Sequence, residues 1–372
     1  MNKTILPPST IGIIGGGQLG RMMAIEARYM GYKVAVLDPT PNCPTAQVAD
    51  EHIVAAYDDM NAIKELTELS DVITYEFENV DLTAAKYIEG KGKLPQGAYA
   101  LEVTQHRERE KMTMRDAELP VAPFVIVQSG EECRKALESV TLPAVIKTCQ
   151  GGYDGKGQLK INSEQDFEEA IAFAEQPGIF IIEQWITFDK EISVVFTRSL
   201  DGGMTYFPIA ENIHKDHILY ETVAPARITE KTATDAKLAA KLLAEKINVV
   251  GTFAIEMFVK DEEVFINEMA PRPHNSGHYT IESCNVSQFH QHIRAICGLP
   301  LFKVKQLQPA RMINILGEDM PKALQALSTN KNGFVHLYGK ADAKEKRKMG
   351  HITFVGETAN IVENFATDYE SN

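Results

Sequence analysis

TFAIEMFVKDEEVFINEMAPRPHNSGHY, from Thr252 to Tyr279, is the segment from which the rest of the chain can be read. Phe253, Ile255, Met257 and Val259 alternate with Ala254, Glu256 and Phe258, the period of a strand with one face packed. A second extended run covers Val264 to Met269, and Asp261-Glu262-Glu263 between them has the character of a polar hairpin turn. With those three residues as the turn, Lys260 pairs with Val264 and Glu256 falls opposite Glu268. Directly opposed side chains share a face, with Cβ atoms about 4.5–5.5 Å apart. Two carboxylates so placed repel unless one is protonated or a cation sits between them. Mg²⁺ suits such a pair, since it takes one or two carboxylates together with phosphate oxygens and water. A solvated strand face carrying two unrelated glutamates is the plain alternative. The following loop favours the metal: Pro271 and Pro273 exclude helix and regular strand, and they stiffen a segment holding Arg272, His274, Asn275, Ser276 and His278.

The 372 residues suffice for two or three domains, and 44% apolar with 24% charged residues is an ordinary globular balance. A net charge of −13 argues against a nucleic-acid surface but not against nucleotides that bring their own Mg²⁺. Five scattered cysteines without a C-x-x-C pair read as free thiols of a reducing cytoplasm. Neither a signal peptide nor a membrane-length apolar run is evident, so no membrane partner is expected.

Upstream, Thr10–Ile14, the loop Gly15–Gly20, a helix from Arg21 to Met30 and the strand Lys33–Leu37 make a βαβ start with a G-x-G-x-x-G turn. Asp38 stands near where an acidic residue would hold a ribose. A glycine-rich turn with no dinucleotide fits equally. The run from Asp71 to Asn79 reads as a strand whose acidic end, Glu76 or Glu78, could face a ligand. A charge-rich helix is expected from Gln105 to Ala117. After the strand Leu142–Lys147 comes GGYDGKGQ, from Gly151 to Gln158, which lacks the Walker A ending and reads as a mobile strand–loop–strand flap over phosphates. Lys147 before it is a point charge placed for a phosphate. The apolar strand from Gly178 passes through Glu183-Gln184-Trp185-Ile186 into extended chain, as an adenine pocket requires. Asn212, His214 and Lys215 read as loop residues. His290 and His292, two apart on a helix, read as surface residues. A basic run near the C-terminus includes Lys340, Arg347 and Lys348.

Together Lys147, the glycine flap, EQWI at 183–186, Glu191, Glu256 and Asn267-Glu268 resemble the ATP-grasp superfamily. TYEFENV at 74–80, APRPHNSGHYT at 270–280 and RKMGH at 347–351 narrow the likeness to bacterial 5-(carboxyamino)imidazole ribonucleotide synthases, over essentially the whole chain. The resemblance implies an α/β (α+β) fold of ATP-grasp architecture: a Rossmann-like domain over 1–103, a lid subdomain over 104–186 and a C-terminal ATP-grasp domain over 187–372. It implies a cytoplasmic, homodimeric ligase of purine biosynthesis that joins bicarbonate to aminoimidazole ribonucleotide, turning ATP into ADP and phosphate.

By residue, the resemblance implies one or two Mg²⁺ ions on Glu256 and Glu268. ATP would meet Arg107, Lys147, the flap residues Gly152, Tyr153, Asp154, Gly155, Lys156, Gly157 and Gln158, then Glu183, Gln184, Trp185, Ile186, Glu191, His214, Asn267 and Glu268. The ribonucleotide and bicarbonate would meet Gln18, Leu19, Glu76, Tyr153, Asp154, Arg272, His274, Asn275 and Ser276, with Lys340 and Arg347 or Lys348 on the phosphate. Arg272, Asp154, His274 and Lys147 are the candidate catalytic groups. His106 stands where the family usually has an acidic residue, which bears on Arg107. Three other functions are compatible with parts of the chain: a formate-dependent ribonucleotide transformylase, an NAD-dependent oxidoreductase suggested by Gly15–Gly20 and Asp38, and a silent nucleotide-binding protein.

Overall fold

The computed structural model describes residues 4–151, 157–329 and 331–361. The flap residues Gly152, Tyr153, Asp154, Gly155 and Lys156 lie outside the described residues.

The first sheet is wholly parallel. It has the order β3-β2-β1-β4, from β1 (Thr10–Ile14), β2 (Lys33–Leu37), β3 (Glu51–Ile53) and β4 (Val72–Tyr75). The apolar runs of β1, β2 and β4 are buried on both faces, as strands covered by helices must be. One face packs on α2 (Met60–Leu69), α3 (Leu82–Gly90) and α4 (Ala98–Thr104). The opposite face packs on α1 (Gln18–Tyr29), whose Leu19, Met22 and Met23 meet Phe289, Ile293 and Ile296 from far along the chain. β4 is shorter than expected, so Glu76 and Glu78 sit on the loop that leaves its carboxyl end.

Next comes α5 (Arg107–Asp116), which leads into a four-stranded antiparallel sheet, β5-β8-β6-β7. Its strands are β5 (Phe124–Val127), β6 (Ala144–Thr148), β7 (Gln158–Ile161) and β8 (Phe180–Gln184). The helices α6 (Gly130–Leu137) and α7 (Phe167–Ala174) cover one face through Cys133, Leu137, Ala170 and Ile171.

A nine-stranded sheet completes the chain, with the order β14-β13-β9-β11-β12-β15-β17-β16 and β10 paired to β9. It comprises β9 (Lys190–Arg198), β10 (Met204–Tyr206), β11 (Ala210–Lys215), β12 (Ile218–Ala224), β13 (Gly251–Lys260), β14 (Glu263–Ala270), β15 (Ala310–Leu316), β16 (Gly333–Leu337) and β17 (Lys348–Val355). The amphipathic α8 (Glu230–Ile247) packs Ala236, Ala240 and Leu243 against Phe196, Phe253 and Ile255. Asn212, His214 and Lys215 therefore belong to a strand, not a loop; β11 is held between β9 and β12 and bulges after Ile213.

The hairpin differs from the expected count in two compensating ways. Lys260 pairs with Glu263, so the turn is the two residues Asp261 and Glu262, with φ of 51° and 66°. That is the left-handed pair of a type I′ turn, costly for residues other than Gly, Asn or Asp. Contacts from outside support it: Asp261 N–H donates to Asp189 (2.9 Å), and the Thr232 hydroxyl donates to the Glu262 carbonyl (2.9 Å). One step short of the glutamates the register shifts, because Met257 pairs with Ile266 and Glu256 pairs with Glu268. Asn267 is the extra residue of that bulge, and it restores the pairing that a three-residue turn would have given.

Candidate active site

β13 presents Glu256 and β14 presents Glu268, and the stiff loop after β14 brings His274 Nε2 to 3.4 Å from Glu256 Oε1. Burial, and then Glu268, push the Glu256 carboxyl up to about 7. Such a site calls for positive charge. His274 does not supply it: burial, with Arg272 and Lys348 nearby, holds its ring well below its ordinary value, so the ring is neutral. Its Nδ1 accepts the Ser276 N–H (3.3 Å), which places the ring proton on Nε2. The contact with Glu256 is therefore not an ion pair.

One cation stands beside Glu268 and two stand around Glu183. Arg107 Nη1 lies 3.8 Å from Glu268 Oε2. Lys147, at the end of β6, lies 2.7 Å from Glu183 Oε2, and Lys111 of α5 lies 2.9 Å from Glu183 Oε1. Burial alone would raise the Glu183 carboxyl, but the two ammonium groups hold it far below the usual carboxylate range. Glu183 is only 3% exposed, so its carboxylate is not the open flank of an adenine pocket that the sequence suggested. Gln184, Trp185 and Ile186 are partly exposed beside it. Lys160 Nζ lies 4.1 Å from the centre of the Trp185 ring. Glu191 on β9 forms an ion pair with His214 Nδ1; burial lowers the imidazole, and Glu191 more than offsets this. Gln158 begins β7 opposite Lys147, and the Gly157 carbonyl before it accepts the Thr148 N–H (2.9 Å).

The loop after β4 forms the opposite wall. Arg272 Nε donates to Glu78 Oε2 at 2.6 Å. Burial opposes the charge on Arg272, and Glu78 restores it. Glu76 turns back into the glycine loop, where its carboxylate accepts the N–H groups of Gly17 and Gly20. A Cβ at Gly17 would sit 2.5 Å from Glu76 Oε1, so this close approach requires glycine. Asp38 accepts Gly16 N–H (2.7 Å) and the Tyr57 hydroxyl (2.6 Å). The oxidoreductase reading fails on this geometry: a pyrophosphate approaching the loop would meet the carboxylate of Glu76, and Asp38 is already engaged. Lys340 Nζ donates to the Lys348 carbonyl (2.7 Å), and burial, then Arg347, push it down to about 8. The Arg347 guanidinium donates to the Asp342 carbonyl (3.1 Å).

Three expected ligand contacts lie deeper than foreseen. The Leu19 side chain belongs to the core, and only the backbone there and Gln18 beside it reach the loop surface. Asn275 exchanges amide hydrogen bonds with Asn314 (2.9 and 2.7 Å). Ser276 is fully buried and accepts from the Ser193 hydroxyl (2.7 Å). Ser276 therefore stands behind His274 and supports it, while Asn275 ties the loop to β15. His292 is likewise no surface residue: it is buried, contacts Thr74 Oγ1 through Nε2 (2.8 Å) and accepts Thr252 N–H at Nδ1 (3.0 Å).

Glu110 and Lys111 were not legible as site residues because a charge-rich helix reads as solvated. Yet Arg107, Glu110, Lys111 and Met114 recur at helical spacing, and Met114 is core. That stripe is the signal that could have found them.

Comparison with known proteins agrees with this arrangement. Residues 9–105 match a ribonucleotide synthetase preATP-grasp domain, 112–289 an ATP-grasp domain, and 310–364 a phosphoribosylaminoimidazole carboxylase C-terminal domain. The N5-carboxyaminoimidazole ribonucleotide synthase of Bacillus subtilis is 49% identical over 357 residues, covering 95% of this chain and 94% of that protein. A crystal structure of an ADP complex of such a synthetase superposes with a TM-score of 0.95 at 50% identity, over 99% of this chain and 98% of the other. The Aspergillus clavatus enzyme in complex with ADP and 5-aminoimidazole ribonucleotide gives a TM-score of 0.88 at 30% identity, over 96% of each chain. On sequence, fold and site together, this chain belongs to the N5-carboxyaminoimidazole ribonucleotide synthase family of ATP-grasp ligases.

Proposed function

We propose that the chain carboxylates the exocyclic amine of 5-aminoimidazole ribonucleotide with bicarbonate, consuming ATP and releasing ADP and phosphate, as a step of purine biosynthesis. The observation that carries this reading is the pairing of Glu256 with Glu268, with Arg107 against Glu268 and Lys147 held by Glu183. A carboxyl raised to about 7 by burial and then by a like-charged neighbour fits a divalent cation, and Glu256 and Glu268 would hold Mg²⁺ there. When bound, Mg²⁺ supplies neutralisation of polyphosphate charge.

The chain's own groups do the rest. Phosphoryl transfer depends mainly on positioning and charge neutralisation, and Lys147 and Arg107 provide both at the phosphates. Bicarbonate is a poor electrophile, so it is activated as carboxyphosphate, which must be kept from water. Arg272, held by Glu78, presents a charged donor to the carboxylate oxygens. His274 carries its proton on Nε2, so we assign it as a hydrogen-bond donor and leave Asp154 as the candidate acceptor of the amine proton. Lys340 and Arg347, with Lys348, form the phosphate end of the ribonucleotide site. Two further readings rest on the resemblance: a homodimer, and a cytoplasmic setting in keeping with five free cysteines. No helix among the described residues is long and apolar enough to cross a membrane.

ADP release measured with bicarbonate, with and without 5-aminoimidazole ribonucleotide, tests the proposal. Strong stimulation by the ribonucleotide is expected. Equal rates in its absence would remove the substrate assignment, and stimulation only by formate with a different ribonucleotide would favour the transformylase.

A further inference from the structure

Lys111 is 2% exposed, and its ammonium sits where three chain segments meet. It lies 2.9 Å from Glu183 Oε1, 2.8 Å from the Asn267 carbonyl and 3.5 Å from the Ile266 carbonyl. Glu183 gives its other oxygen to Lys147, and Asn267 is the bulge residue directly before Glu268. Glu110, the neighbour of Lys111, accepts Met269 N–H at 2.8 Å, so α5 holds the bulge on both sides of Glu268.

We propose that Lys111 is a positioning residue that sets both Lys147 and Glu268 for a nucleotide's phosphates, an assignment that rests on the ATP reading above. The charge balance gives the reason. A Lys147–Glu183 pair by itself is neutral and has little to offer a polyphosphate. With Lys111 buried behind it, the triad carries one net positive charge, and Lys147, with 17% of its side chain exposed against 4% of the Glu183 side chain, is its outward end. The Asn267 carbonyl meanwhile requires a donor, because the bulge takes Asn267 out of the ladder, whereas Ile266 stays paired to Met257 and bridged to Val121. One buried ammonium satisfies both needs and couples the phosphate-facing cation to the acidic residue across the site.

The test measures equilibrium binding of ATP and of 5-aminoimidazole ribonucleotide by calorimetry, alongside thermal melting and turnover. Lys111→Met is expected to weaken ATP binding about tenfold, the scale of one charge-assisted contact, while the ribonucleotide dissociation constant stays within about twofold. Lys111→Met/Glu183→Gln removes the buried pair together and returns a full charge to Lys147. It is expected to regain ATP affinity while turnover stays at least about tenfold below wild type, because the bulge still lacks its donor. Should Lys111→Met fail to fold, the double variant alone decides: wild-type turnover in it overturns the proposal. Unchanged ATP affinity in a folded Lys111→Met overturns it equally. A wild-type protein that binds no ATP would instead refute the nucleotide reading on which this one stands.

Discussion

Glu256 and Glu268 face each other across β13 and β14 only because Asn267 is left out of the ladder between them. A two-residue turn without the bulge would have set Glu256 against Asn267. Burial and then the like charge of Glu268 raise Glu256, so removing that charge should not harm the fold. Glu268→Gln is expected to melt at or above the wild-type temperature and to release ADP at least about 100-fold more slowly, the scale of losing a principal charge-stabilising group. Normal ADP release from the folded variant would take the metal away from this pair.

Arg272 is fixed by one hydrogen bond from Nε to Glu78 and another from Nη1 to the Pro273 carbonyl (3.2 Å). Lysine keeps the charge but loses the planar fork. Arg272→Lys should lower kcat/KM for the ribonucleotide about 10- to 100-fold and leave the ATP dissociation constant within about twofold. Steady-state kinetics with each substrate varied in turn would show the split, and an equal loss for both substrates would contradict it.

Glu76 accepts two backbone N–H groups of the glycine loop. In Glu76→Gln one of them would face an amide NH₂ instead of an oxygen. The variant should lose about 1–3 kcal/mol of stability, the cost of leaving a donor to a charged acceptor unmade, and bind ribonucleotide more weakly. Urea unfolding and calorimetry measure the two effects, and an unchanged midpoint would indicate that the loop does not depend on this carboxylate.

His292 makes the protein sensitive to acid. Burial pushes its imidazole down to about 3, and protonating Nδ1 would set it against the Thr252 N–H that it now accepts. The unfolded chain takes up a proton below about pH 6.5, while the folded chain declines it until near pH 3. Stability contributed by neutral His292 is therefore whole above pH 6.5 and is lost as the pH falls through that window. Between pH 6.5 and pH 5 the loss is about 2 kcal/mol. His292→Gln should remove that part of the slope in urea titrations at the two pH values, and parallel behaviour of variant and wild type would speak against it.

What the sequence disclosed followed from periodicity. The hairpin strands, the βαβ start and α5 repeat at two or 3.6 residues, and each forms within a few residues of where that pattern places it, α1 beginning at Gln18 inside the expected glycine loop. The opposition of the two glutamates was also legible, although the expected three-residue turn stood in for a shorter turn plus a bulge. Residues satisfied by distant partners were hidden. His292 depends on Thr74 and Thr252, Asn275 on Asn314, and Lys111 on Glu183 and Asn267, none of them nearby in the chain. β11 was hidden for a related reason: Asn212 and His214 are polar, and neighbouring strands alone make them extended.

The helix α1 shares its apolar face with Phe289, Ile293 and Ile296, and Gln96 Nε2 donates to the Pro271 carbonyl (2.9 Å) while bonding Thr74. The first sheet and the rest of the chain thus share packed surface across residue 103. A fragment ending there would carry a bare stripe of Leu19, Met22 and Met23, so one of its two sheet faces is finished only by the last third of the polypeptide.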